Sequence, residues 1–124
     1  MRQPKTKPLP HSPYENEMAL VADIRAYLAM RQAVTVRVNA GMKVIKSEQP
    51  EGRDRVFRGA EKGTSDILAC IGGRFVAIEA KMQGNKTTPD QDAFLESVRE
   101  AGGVAIVAYS LDDVDDGLGW AKYR

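Results

Sequence analysis

The residues best suited to chemistry lie in two short runs, Gly63-Thr64-Ser65-Asp66 and Glu79-Ala80-Lys81, separated by two apolar segments around Gly72-Gly73. Side chains alternate along a strand, so Glu79 and Lys81 share one face about 7 Å apart and Ala80 takes the other. If the apolar segments pair as a hairpin, Asp66 opens the neighbouring strand roughly 5 Å away and brings its carboxylate to the same edge. Two carboxylates that close repel unless a cation separates them, and hard oxygen ligands suit Mg²⁺ or Mn²⁺ rather than zinc. The backbone carbonyl of Ala80 is a candidate further ligand. Such a metal lowers the pKa of bound water and polarises a phosphoryl oxygen, while Lys81 orients the water and neutralises charge on the phosphorane. This set suffices for phosphodiester hydrolysis. The plainer alternative is an exposed Glu–Lys pair on a strand, which contributes little.

The composition narrows the alternatives. The single histidine, His11, sits among Pro8, Pro10 and Pro13 in an arm expected to be flexible, which argues against histidine-dependent nucleases, histidine-based zinc sites and Ser-His-Asp hydrolysis. The single cysteine, Cys70, has no partner within the chain for a disulfide or CxxC site, suits a reducing interior, and is expected to pack inside a buried strand. At 124 residues with 43% hydrophobic and 28% charged side chains, one globular domain is expected. The first residues lack an apolar signal core and no run of 18 apolar residues occurs, so a soluble, cytoplasmic protein with no membrane partner is expected. The net charge of +1 conceals an asymmetry. Residues 1–86 hold 15 Lys and Arg against 9 Asp and Glu, and residues 87–124 hold 3 against 8. The basic part suits a polyanion, although two solvated faces of opposite sign would give the same arithmetic.

The elements that must position these groups follow from the hydrophobic pattern. Residues 1–13 contain four prolines and three basic residues and are expected to form a flexible arm ahead of a domain spanning 14–124. Ser12-Pro13 has the form of a helix entry, and Leu20, Val21, Ile24, Tyr27 and Leu28 recur at helical spacing up to about Arg31. Val34, Val36 and Val38 alternate with Thr35, Arg37 and Asn39, which predicts a half-buried strand with a polar face. Val44-Ile45 and Val56-Phe57 suggest two short strands joined by a loop. Ile67–Ile71 and Phe75–Ala80 suggest a central hairpin. Thr88-Pro89-Asp90-Gln91 opens a second helix, Phe94, Leu95 and Val98 supply its buried stripe, and Gly102-Gly103 ends it. Val104–Ala108 is then a strand parallel to the one before the helix, and residues 112–119 a short acidic helix or turn. The fold class is α/β with a mixed sheet flanked by helices.

In this order the pieces resemble the VRR-NUC (virus-type replication-repair nuclease) family of the PD-(D/E)xK nuclease superfamily, over about residues 15–115. They are Glu17 on the first helix, Arg37-Val38-Asn39-Ala40-Gly41, Gly63-Thr64-Ser65-Asp66-Ile67, Glu79-Ala80-Lys81, Gln91, and Gly102-Gly103 with the strand that follows. The resemblance implies a restriction-endonuclease-like core. It makes Asp66 and Glu79 the principal metal ligands beside the Ala80 carbonyl, and Lys81 the catalytic lysine. Glu17 would complete the metal pocket directly or through water, and it keeps the helical register better than Glu15. Gln91 would stand near the metal or a phosphate. Many relatives carry serine or threonine where this chain has Ala40, so a hydroxyl is missing there. The chain resembles the standalone phage and prophage members, which implies a homodimer acting on branched DNA such as Holliday junctions in the cytoplasm of a bacterial or phage-infected cell.

DNA contacts are expected from Arg37, Asn39, Lys43, Arg53, Arg55, Arg58 and Lys62. Other readings compete. Glu17 could serve only the helix dipole, Gln91 only the helix end, and the arginines before Asp66 only a solvated loop. Trp120 and Tyr123 suit a cap over the core or a subunit contact better than base stacking, and Phe57 is a further residue for such a contact. As whole-protein alternatives stand a nucleic-acid-binding module with little catalysis, a flap or nicking nuclease, and a non-enzymatic α/β protein with a charged face.

Overall fold

The computed structural model describes residues 12–39, 42–45, 47–58 and 60–119, with backbone alone for 42–45 and 55–58. The expectations for residues 1–11, His11, Ala40, Gly41, Trp120 and Tyr123, and for the side chains of Lys43, Arg55, Phe57 and Arg58, lie outside the described residues.

The chain runs α1 (Glu17–Met30), β1 (Val34–Arg37), β2 (Met42–Ile45), β3 (Arg55–Arg58), β4 (Ile67–Ile71), β5 (Arg74–Ala80), α2 (Pro89–Glu100), β6 (Val104–Ala108) and α3 (Leu111–Leu118). Four strands form a mixed sheet in the order β1-β4-β5-β6, and β2 and β3 form a separate two-stranded sheet. β4 and β5 are the antiparallel hairpin around Gly72-Gly73, with Ile67 opposite Ile78. α2 returns the chain so that β6 lies parallel to β5, with Ala80 beside Ala108. β5 is central, and Val76 to Ala80 are all buried. In the two-stranded sheet Val44 faces Val56 in register, so the two apolar pairs do form paired strands.

α1 begins later than Ser12-Pro13 suggests. Asn16 is the N-cap, and its side chain accepts a hydrogen bond from the Ala19 N–H at 2.9 Å. Ser12 instead accepts from the Tyr14 N–H in a local turn. Both serine and asparagine can satisfy a backbone donor, and Asn16 stands one residue before the helix and four before Leu20, the first buried residue of its stripe. That stripe of Leu20, Val21, Ile24 and Leu28 packs on Ile67, Ala69, Val76, Ile78, Ala80, Ile106 and Ala108, joined by Val114 of α3. On the opposite face α2 lays Leu95 and Val98 against Ala77. α2 opens as the sequence suggests, with a capping box in which Thr88 accepts from the Gln91 N–H and the Gln91 side chain accepts from the Thr88 N–H.

Two burial expectations are corrected. Val34 and Val36 are 69% and 56% exposed, and Cys70 is exposed as well. Val34 pairs with Cys70 and Val36 with Leu68. This edge of the sheet is not covered by α2, whose contacts are with β5 and β6. Thr35 turns instead toward α1, where its hydroxyl accepts from Arg25 Nε at 3.1 Å. The alternation in β1 is real, but the valines occupy the open side.

Candidate active site

The expected acids meet where β4 begins and β5 ends. Continuing the hairpin register by one residue sets Asp66 across from Glu79. Two backbone bonds hold this corner: the Asp66 carbonyl accepts from the Val38 N–H at 2.7 Å, and the Lys81 N–H donates to the Ala108 carbonyl at 2.9 Å. Asp66 Oδ2 accepts from the Ala80 N–H at 2.8 Å, so a side chain closes the last rung of the hairpin.

Glu79 is only 2% exposed, and burial pushes its carboxyl up to about 9. Its hydrogen bond to Asp66 and the Asp66 charge add to that rise, Lys81 opposes it, and Glu17 reinforces it weakly. Glu79 thus feels the charges of Asp66, Lys81 and Glu17. Glu79 Oε1 is buried without a hydrogen-bond partner. A buried carboxyl with an unpaired oxygen, pressed against a second carboxylate, fits a divalent cation in its chemistry, because hard oxygen donors and relief of like-charge repulsion are what such an ion requires. Among the described residues no three acidic, histidine or cysteine side chains converge as one ligand cluster.

Beside Asp66 lies a pocket of about 260 Å³ lined by Glu17, Met18, Val21, Arg37, Val38, Asn39, Thr64, Asp66 and Gln91; Glu79 and Lys81 are not among its lining residues. Five of the sequence-derived site residues share it: Glu17, Arg37, Asn39, Asp66 and Gln91. Glu17 is the first helical residue of α1 and Gln91 lies in the first turn of α2. Gln91 also serves its helix, since its Oε1 accepts from the Thr88 N–H at 2.9 Å; this fixes the side chain and leaves the amide nitrogen as its donor toward the pocket.

The loop bearing Asp66 is pressed against α2. Gly63 has φ +91°, and a Cβ there would meet the Asp90 carbonyl oxygen at 2.4 Å, so only glycine fits this approach. Beside it Lys62 pairs with Asp90 at 3.3 Å on the surface. Lys62 and the exposed Arg53 are absent from the pocket lining. Sequence reasoning gave no role to Met18 and Thr64, which line the pocket, or to Ser65, whose buried hydroxyl has no partner. Thr64 lies in the Gly63–Asp66 run, and its hydroxyl donates to the Glu61 carbonyl at 2.7 Å. Met18 carried no signal beyond adjacency to Glu17.

Among the described residues no helix is long and apolar enough to cross a membrane. No family model matches the chain, and comparison with curated proteins gives no match.

Proposed function

We propose that this chain is a Mg²⁺- or Mn²⁺-dependent DNA endonuclease with a PD-(D/E)xK core of the VRR-NUC type, acting on branched DNA such as Holliday junctions. The observation that carries this reading is the buried Glu79 carboxyl, with an unpaired oxygen, held against Asp66 within reach of the Lys81 charge. Asp66 and Glu79 are the residues that would hold the cation, with the Ala80 carbonyl alongside and Glu17 acting through water. The bound ion would supply a more acidic water and a polarised phosphoryl oxygen. Lys81 donates to the attacking water or to the oxygen on which charge develops. Arg37 and Asn39 contact the phosphate on the pocket's outer wall, and the Gln91 amide donates to a phosphate oxygen from the opposite helix. Lys43, Arg53, Arg55, Arg58 and Lys62 would supply further phosphate contacts.

Two symmetric cuts across a four-way junction require two such sites, which a two-fold homodimer provides. The exposed strip of Val34, Val36 and Phe75 suits a second copy.

The test is cleavage of linear, flap, fork and four-way-junction DNA with and without Mn²⁺, by the parent chain and Asp66→Asn. Metal-dependent cleavage lost in the variant supports the reading, and no cleavage of any substrate refutes it. Light scattering without DNA at micromolar concentration should give about twice 13.6 kDa; a monomer mass would favour flap or nicking activity over junction resolution.

A further inference from the structure

The pocket lining mixes polar side chains with three apolar ones, Met18, Val21 and Val38. Val21 is buried and belongs to the core. Met18 is different: it is 64% exposed, in the first turn of α1, and directly follows Glu17. Scattered exposed apolar side chains are ordinary on a protein surface, as Met30 shows at the other end of the same helix. Met18, however, lines the same pocket as Glu17 and Asp66. A phosphate and a cation have no use for a thioether, but the sugar and base attached to that phosphate do.

We propose that Met18 is a specificity-determining residue, packing on the face of the base next to the scissile phosphate and selecting DNA in which that base is already unstacked. This rests on the nuclease reading of the same pocket. At about 260 Å³ the pocket admits part of one strand. An unbranched, polarisable side chain fixed to a helix is suited to slide over a base, and apolar wedges of this kind are used where DNA is kinked or opened. Inside a continuous duplex the wedge must first unstack a step. At a branch, flap or strand end one base face is already free, so the contact forms without that cost. Met18 therefore separates branched from continuous DNA, while the acids and Lys81 treat both alike.

The test compares kcat/KM with Mn²⁺ on a junction, a flap and a continuous duplex of the same sequence, for the parent chain, Met18→Ala and Met18→Leu. The ratio of branched to continuous cleavage should fall about five- to tenfold in Met18→Ala and return in Met18→Leu, which keeps the apolar reach. An unchanged ratio in Met18→Ala overturns the proposal while leaving the nuclease reading intact. A second readout does not depend on cleavage: a junction carrying 2-aminopurine beside the branch should change fluorescence on binding the parent chain and change less on binding Met18→Ala. A chain that binds the probe but cuts nothing loses the nuclease reading, and the Met18 contact is then decided by fluorescence alone. Equal signals from both proteins, or no binding by either, reject it.

Discussion

Asp66 accepts the Ala80 N–H on one carboxylate oxygen, at 2.8 Å, and faces Glu79 across the same hairpin. The residue is therefore both the last rung of the sheet and half of the acid pair. These roles separate by substitution. Asp66→Asn retains an oxygen acceptor for Ala80 and should fold normally, whereas Asp66→Ala strands a backbone donor at a cost of about 1–3 kcal/mol. Both should lose Mn²⁺ binding in calorimetry by more than about tenfold, since the anionic donor is gone. Unchanged affinity in Asp66→Asn would displace the metal from this corner.

Glu79 gives the stability a pH dependence whose sign is fixed. Its carboxyl is raised from the usual 4.5 to about 9 by burial and by Asp66, so the folded chain holds this proton more tightly than the unfolded one. Its contribution is complete below about pH 4.5 and is lost as pH rises toward 9. In EDTA, Glu79→Gln should therefore gain melting temperature relative to the parent as pH rises from 5 to 8.5, with the difference closing at low pH. Mn²⁺ should restore the parent at high pH and release protons as it binds. Parallel melting curves across that range would contradict the buried-acid assignment.

Lys81 continues the chain from β5 and lowers the Glu79 carboxyl by its charge. Lys81→Ala should cut more slowly by roughly 100-fold or more, while DNA affinity, spread over many cations, changes little. Single-turnover kinetics beside a binding isotherm distinguish the two effects; near-normal cleavage would assign Lys81 to the surface.

Ser65 is fully buried and its hydroxyl has no partner. Removing an unsatisfied polar group relieves its desolvation penalty, so Ser65→Ala should stabilise the fold by about 1 kcal/mol, or several degrees in melting temperature. A loss of stability would mean that the hydroxyl is engaged.

The parts of the fold legible in the sequence are those with local causes. Thr88, Pro89 and Gln91 specify the start of α2 within four residues, Gly72-Gly73 specifies the hairpin turn, and the unbroken apolar run of β5 marks it as central. The misread parts depend on distant coverage. Period-two alternation in β1 says that one face differs from the other, but which is buried depends on α1 covering Thr35 and α2 stopping at β5. Cys70 was misplaced for the same reason. At the site, Asp66 and Glu79 were legible because a hairpin register joins them, whereas the unpaired oxygen of Glu79 and the exposure of Met18 emerge only when α1 and α2 are docked.

The two-stranded sheet has a consequence for how this domain could be altered. Among the described residues β2 and β3 pair only with each other, and the excursion that carries them is closed at its base by the Ala60 N–H donating to the Asn39 carbonyl at 2.8 Å. Its ends are thus already side by side, and loop length itself is inexpensive to change. The hairpin is a replaceable module: a short turn, or a longer arm from another protein, could join Asn39 to Ala60 without shifting a rung of the β1-β4-β5-β6 ladder. Under the proposed nuclease reading, exchanging the segment that carries Lys43, Arg55 and Arg58 would change the nucleic acid contacted while leaving the Asp66–Glu79 corner in place.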